Sequence, residues 1–199
     1  MKLYYSPTSP YVRKVNVVAM ELGIDEALER IPTNPWEPNE VLLANNPLSK
    51  VPTLITDDGS VLFDSPVICE YLDSELAGKR FIPASGMARW QALRLQALAD
   101  GILDAAVLRF LERQREVQAA DWEASQRAAV ERALDVLEAE VATWGDSLTI
   151  GQITVAVALG YIDFRFGDED WRPDHPGIAE WYGRFSQRPS MTATIPRMP

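Results

Sequence analysis

The chain has 199 residues, 47% of them hydrophobic and 24% charged, with 19 basic against 29 acidic side chains and a net charge of −10. This is the composition of one or two globular domains with a buried core, and it excludes intrinsic disorder, a basic nucleic-acid-binding field and attraction to an anionic membrane. One cysteine, Cys69, excludes a disulfide within the chain and any CxxC site, and one histidine, His175, excludes a multi-histidine metal centre. No leader-like apolar run opens the sequence and no 18-residue apolar stretch occurs, so the expectation is a reduced, soluble, cytoplasmic protein.

The first part alternates short strands and helices. Residues 2–5 read as a strand ended by Ser6-Pro7, and 11–22 as a helix with Val12, Val15, Ala19 and Leu22 on one stripe and Gly23 at its end. A second strand is expected at 27–31 and a short helix at 39–44, between Pro38 and Pro47. Residues 53–56 and 61–63 flank the turn signal Asp57-Asp58-Gly59-Ser60 and form a hairpin, and 67–76 form a helix. The order β-α-β-α-β-β-α makes a small α/β layer structure. From Gly86 the pattern is helical, with helices expected over 87–117, 122–144, 152–166 and 178–187, then a Pro-rich tail. The second of these carries Val130, Leu134, Leu137, Val141 and Trp144 at alternating spacings of four and three, and the third is almost wholly apolar, as a central bundle helix would be. The division is therefore 1–77, a linker 78–86, and an all-helical part 87–199.

Two Ser-Pro pairs, Ser9-Pro10 and Ser65-Pro66, open predicted helices. Serine is a favoured N-cap and proline a favoured first residue, so capping alone explains either pair. In an α/β sheet, however, such helices start where ligands bind, and a helix N-terminus offers free N–H groups to an anion. Ser65 suits a carboxylate and Asp64 a cationic amine, and together they suit an α-amino-acid head group.

Four segments, SPTSPYVRK at 6–14, NPLSKVPTL at 46–54, DSPVICEYL at 64–72 and LTIGQI at 148–153, together resemble the glutathione transferase superfamily, in particular its bacterial and plant-type members. The resemblance implies a thioredoxin-like N-terminal domain that binds glutathione, an all-helical C-terminal domain that faces a small apolar electrophile, and a homodimer. It implies a cis Val51-Pro52 bond that lets the Val51 backbone pair with the cysteinyl part of glutathione. It also implies a γ-glutamyl site at Ser65 with Asp64 in place of the commoner glutamate, and an active-site serine at Ser9. A serine hydroxyl there can donate a hydrogen bond to the glutathione thiolate, which is the nucleophile, and no general base is needed. Ser6 and Thr8 are rival donors. A basic residue for the glycyl carboxylate is missing from 31–49, which leaves Lys50 or the indole N–H of Trp36. Leu103, Asp104, Val107 and Phe110, in the middle of the long helix, are candidates for electrophile contact. The resemblance implies glutathione as co-substrate, no metal, and a transferase serving detoxification. The alternatives are another glutathione-dependent enzyme (isomerase, dehalogenase or peroxidase) and a non-catalytic binding or stress-regulatory protein.

The remaining distinctive residues read as structural. Cys69 lies within a helix and is expected in the core. His175 is expected at the surface or as a cap. Asp100 and Asp104, four apart, read as a solvated helix face. Thr149 and Gln152 form a capping box, with Leu148 and Ile153 at the staple positions.

Overall fold

The computed structural model describes residues 1–76, 81–145 and 147–197. The N-terminal part runs β1 (Lys2–Tyr5), α1 (Pro10–Leu22), β2 (Glu29–Pro32), α2 (Glu40–Asn45), β3 (Thr53–Ile55), β4 (Val61–Leu62) and α3 (Ser65–Tyr71). The strands form one sheet in the order β2-β1-β3-β4. β2 runs parallel to β1, with Leu3 opposite Arg30, and β3 runs antiparallel to it, with Leu3 opposite Leu54. Alternation along β1 decides its two faces. Leu3 joins the main core with Val15, Val18, Leu54 and Ile68, whereas Tyr4 packs with Val12, Leu42 and Val51 on the α2 side. This is the thioredoxin-like α/β arrangement the sequence implies.

The helical part comprises α4 (Gly86–Glu112), α5 (Ala120–Glu140), α6 (Ile150–Arg165), α7 (Pro176–Phe185) and α8 (Pro189–Ala193). α6 is buried at every position from Ile150 to Ile162, so it is the central helix, packed against α4. Its start is the expected capping box: the Thr149 N–H donates to Gln152 Oε1 at 2.8 Å, and the Gln152 N–H donates to Thr149 Oγ1 at 3.4 Å. Gly151 sets the closeness of α4 and α6. A Cβ there would lie 2.7 Å from Leu95 Cβ and 2.8 Å from the Ala92 carbonyl oxygen. Gly151→Ala should therefore force the helices apart and cost about 1–3 kcal/mol, measurable as a lower urea midpoint at constant m.

Several boundaries differ from expectation for identifiable reasons. β2 begins two residues late, because 25–27 form a 3₁₀ turn that Asp25 fastens to Arg30. α3 ends at Tyr71 and continues as a wider turn over Leu72–Leu76, where the buried Asp73 carboxylate accepts the N–H groups of Phe81 (2.7 Å) and Ile82 (3.1 Å). The expected linker at 78–86 lies partly outside the described residues. α4 stops at Glu112, five residues early, because that buried carboxylate accepts the Ala119 N–H at 2.6 Å and turns the chain into α5. The Pro-rich tail contains a further helix, α8, with Pro189 in its first turn.

α1 connects the two parts. Buried Arg13 donates to the Met191 carbonyl at 3.2 Å and presses on Gly160, where a Cβ would meet its guanidinium at 2.5 Å. Glu21, at the other end of α1, pairs with Arg188 at 2.6 Å and accepts the Ser190 hydroxyl.

Candidate functional site

A cleft of about 720 Å³ opens between the two parts. One wall carries the N-termini of α1 and α3 and the loop between α2 and β3; α4 and α6 form the other. Ser9 is the N-cap of α1, and its Oγ accepts the Val12 N–H at 3.3 Å. That bond uses a lone pair of the hydroxyl and not its proton, so capping and donation to a ligand are compatible. Ser6 Oγ and Thr8 Oγ1, also in the cleft, lie 3.4 Å apart and hydrogen-bond each other.

Ser65, only 1% exposed, begins α3 at the cleft, with exposed Asp64 before it. Asp64 occupies the N-cap position but makes no side-chain capping bond, so its carboxylate is not spent on its own helix. Between the two helix ends lie Lys50, Val51 and Pro52, and the Val51-Pro52 bond is cis. This loop is held by buried Asn46, whose Nδ2 donates to the Lys50 carbonyl (3.1 Å) and Thr53 Oγ1 (3.0 Å). Lys50 and Trp36 line the rim of the cleft, and Trp36 is 68% exposed.

The opposite wall corrects two expectations. Asp104, Val107 and Phe110 line the cleft, but Leu103 does not: it is fully buried in the core, because one residue along a helix turns the side chain by about 100°. Asp100 and Asp104 differ: Asp104 is exposed, as a solvated face requires, whereas Asp100 is largely withdrawn from solvent. Asp100 holds the fully buried Lys14 ammonium at 2.6 and 2.8 Å, and Asp104 accepts a short hydrogen bond from the Tyr11 hydroxyl. Burial, and then that bond to Asp104, raise the Tyr11 pKa well above its ordinary value, so Tyr11 stays protonated.

Tyr11, Tyr161 and Arg165 are cleft residues that motif reasoning missed. A signal existed for the last two: Tyr161 and Arg165 stand four apart, on one face, and Arg165 is the lone basic residue of α6. The Arg165 guanidinium carbon lies 3.8 Å from the centroid of Phe110.

Two other readings are now decided. Cys69 is fully buried, and burial pushes its thiol up to about 12, so it is an inert core residue. His175 is not at the surface. It is buried at the start of α7, with Nδ1 2.8 Å from the Trp171 carbonyl and Nε2 3.1 Å from Asp135 Oδ1. His175 is the N-cap residue of α7, one of its two expected places, but its side chain makes no capping bond; Glu138 instead accepts the N–H groups of Gly177 (2.9 Å) and Ile178 (2.8 Å). A second hollow of about 530 Å³ beside α7, floored by Trp144, Trp181 and Phe185, holds none of the predicted site residues. Among the described residues, no helix is long and apolar enough to cross a membrane, and no cluster of three or more His, Cys, Asp or Glu is placed to hold a metal.

Comparison with known proteins agrees with this architecture. Residues 8–75 match the family profile of the glutathione S-transferase N-terminal domain, and residues 101–184 that of the C-terminal domain. The chain is 34% identical to the uncharacterized GST-like protein YibF of Escherichia coli K12 over 98% of both chains. It superposes on a glutathione transferase family member from Pseudomonas fluorescens Pf-5, solved with bound glutathione, with a TM-score of 0.94 and 46% identity over 99% of both chains. A second structure from that organism, with bound S-(propanoic acid)-glutathione, gives a TM-score of 0.89 and 45% identity over 98% of this chain and 99% of that one. Two matched domain profiles in order, a full-length relative and a near-identical fold place the chain in the glutathione S-transferase superfamily.

Proposed function

We propose that the protein is a glutathione transferase that activates the glutathione thiolate for attack on a small electrophile. The observation that carries this reading is the opening of two serine-started helices, α1 at Ser9 and α3 at Asp64-Ser65, into one cleft whose far wall presents Val107, Phe110 and Leu111 between Asp104 and Arg165. Ser65 and the α3 N-terminus receive the γ-glutamyl carboxylate, and Asp64 receives its amino group. Val51 and Pro52 flank the cysteinyl part, and Lys50 and Trp36 at the rim serve the glycyl end. Ser9 then faces the sulfur. Its O–H donates to the thiolate, and a hydrogen bond to a charged group contributes about 1.5–3 kcal/mol in favour of the deprotonated form. Val107, Phe110 and Leu111 give the electrophile an apolar wall. The glutathione and glutathione thioether bound by the Pseudomonas fluorescens relative support the same ligand class here.

In this reading residues 1–77 form the glutathione-binding domain, 78–86 the linker and 87–199 the electrophile domain. The protein is also a homodimer, a reading supported by exposed Val67 of α3 and exposed Met87 and Trp90 in the first turns of α4.

Calorimetric titration with glutathione, followed by a thiol-conjugation screen, tests the proposal. Asp64→Ala and Ser65→Ala should each weaken glutathione by about 1–3 kcal/mol, a rise in Kd of about 5- to 160-fold. Unchanged Kd values in both variants would remove the head-group site.

A further inference from the structure

We propose that Asn46 and Thr53 are positioning residues: they turn the Lys50–Val51 peptide so that the Val51 N–H points into the cleft, as the donor for the cysteinyl carbonyl of glutathione. This rests on the glutathione reading and deepens it, because the aim of one backbone bond then depends on two buried side chains that touch no substrate.

Three polar groups close a ring beneath the loop. Asn46 Nδ2 donates to the Lys50 carbonyl at 3.1 Å and to Thr53 Oγ1 at 3.0 Å. Thr53 Oγ1 donates its own proton to the same carbonyl at 2.9 Å. Asn46 is 1% exposed and Thr53 is fully buried. Both amide protons and the hydroxyl proton are therefore spent, and both lone pairs of the Lys50 carbonyl are filled. Reversing the chain needs less than this. Asn46 Oδ1 already accepts the Leu48 N–H at 3.0 Å, which makes an Asx turn, and the Ser49 N–H donates to the Asn46 carbonyl at 2.9 Å. The Asn46 amide nitrogen does something separate: together with Thr53 it fixes the plane of one peptide. The same loop holds Ser49 at a φ of 52°, a left-handed conformation that a non-glycine residue keeps only where its surroundings impose it.

The Lys50–Val51 bond is trans, so its carbonyl and its N–H point in opposite directions. Turning the carbonyl toward Asn46 and Thr53 turns the Val51 N–H the other way, toward the cleft that Val51 lines. There the N–H meets no acceptor among the described residues, although Val51 is only 8% exposed. A backbone donor withdrawn from solvent and left without a partner is rare in a folded protein, and on a cleft wall it calls for an acceptor on a ligand. Pro52, next in the chain, has no N–H to offer. With the γ-glutamyl head at Ser65 and the sulfur at Ser9, the acceptor that falls beside Val51 is the cysteinyl carbonyl.

Amide hydrogen exchange of the isotope-labelled protein, read by NMR, tests this. In the unmodified protein, saturating glutathione should slow exchange at Val51 by about 10-fold or more and leave Leu48, whose N–H is already bonded, close to its unliganded rate. Thr53→Val keeps the branched shape and removes the hydroxyl. It should raise the Kd for glutathione about 2- to 13-fold and abolish the slowing at Val51, while the ultraviolet titration of the bound thiolate, set by Ser9, stays in place. Thr53→Ser, which keeps the hydroxyl, should behave as the parent in all three measurements. The first comparison needs no variant, so a Thr53→Val protein that fails to fold does not spoil the test. Glutathione that binds without slowing Val51 would overturn the positioning role and leave the glutathione reading standing. A Thr53→Val protein with the parent's affinity and full slowing at Val51 would also overturn it. If glutathione does not bind the unmodified protein, the glutathione reading fails and the positioning role falls with it.

Discussion

Lys14→Met should destabilise the protein by about 3–5 kcal/mol, a fall in Tm of about 6–20 °C for a chain of this size. Lys14 is fully buried on α1, and its ammonium is held bidentately by Asp100 of α4. Methionine fills the space of the lysine stem but leaves a largely buried carboxylate without its counter-charge. The pH dependence follows from the Asp100 carboxyl. Burial raises its pKa, against the opposing influence of Lys14, and without Lys14 it rises further. A carboxyl whose folded pKa lies above its unfolded value binds more protons folded than unfolded, so stability falls as pH rises through that interval. The Lys14→Met protein should therefore be closest to the parent in acid and furthest from it at neutral pH. The double variant Lys14→Met/Asp100→Leu removes both charges and should recover most of the loss. Chemical denaturation of the three proteins at pH 5 and pH 7.5 measures this. A single variant as stable as the parent at both pH values would show that the pair contributes nothing.

The second large effect is expected at Ser9. If Ser9 were a cap and nothing more, Ser9→Ala would cost about 1 kcal/mol of stability and leave chemistry alone. As the thiolate donor, its loss should raise the pKa of bound glutathione and lower turnover about 10- to 150-fold, the equivalent of about 1.5–3 kcal/mol. The ultraviolet absorbance of the bound thiolate, followed against pH, separates the two. Ser9→Cys is the sharper variant. A thiol at this helix start has a depressed pKa and should attack oxidised glutathione, forming a mixed disulfide and releasing one glutathione thiolate. Mass spectrometry would show the added glutathione, and conjugation should give way to thiol transfer. If Ser9→Ala leaves the titration in place and the cysteine variant stays unmodified, Ser9 is a cap only. Ser6 and Thr8, which face the same cleft, are then the next residues to replace.

What could be read in advance divides along the range of the interactions involved. β1, α1 with its stripe and Gly23 end, the Thr149-Gln152 box and the apolar α6 are local patterns, and the structure contains them within a residue or two. The helix starts at Ser9 and Ser65 are local in the same sense. Contacts between distant residues were not readable. Lys14 and Asp100 are 86 residues apart, and Tyr11 and Asp104 are 93 apart. Nothing in the spacing of Asp100 and Asp104 tells that one meets a buried ammonium and the other a phenol. Leu103 shows the limit at finest grain, since choosing between it and Asp104 required the rotation of α4 about its axis. His175 was misplaced for a related reason: its partner Asp135 comes from α5, 40 residues away, and only the assembled fold brings them together.

The clasp around α1 constrains how such a protein can diversify. Arg13 is wedged against Gly160 and bonded to the Met191 carbonyl, and Glu21 is tied to Arg188 and Ser190, so the inner wall of one half is the outer surface of a helix from the other. The two halves are distinct in sequence yet share a single packing interface that neither completes alone. Exchanging the helical half for that of a distant relative would strand a buried guanidinium and a carboxylate at once. New specificities are therefore reached by changing residues that line the cleft, such as Val107, Phe110 and Arg165, while the seam along α1 is inherited as one piece.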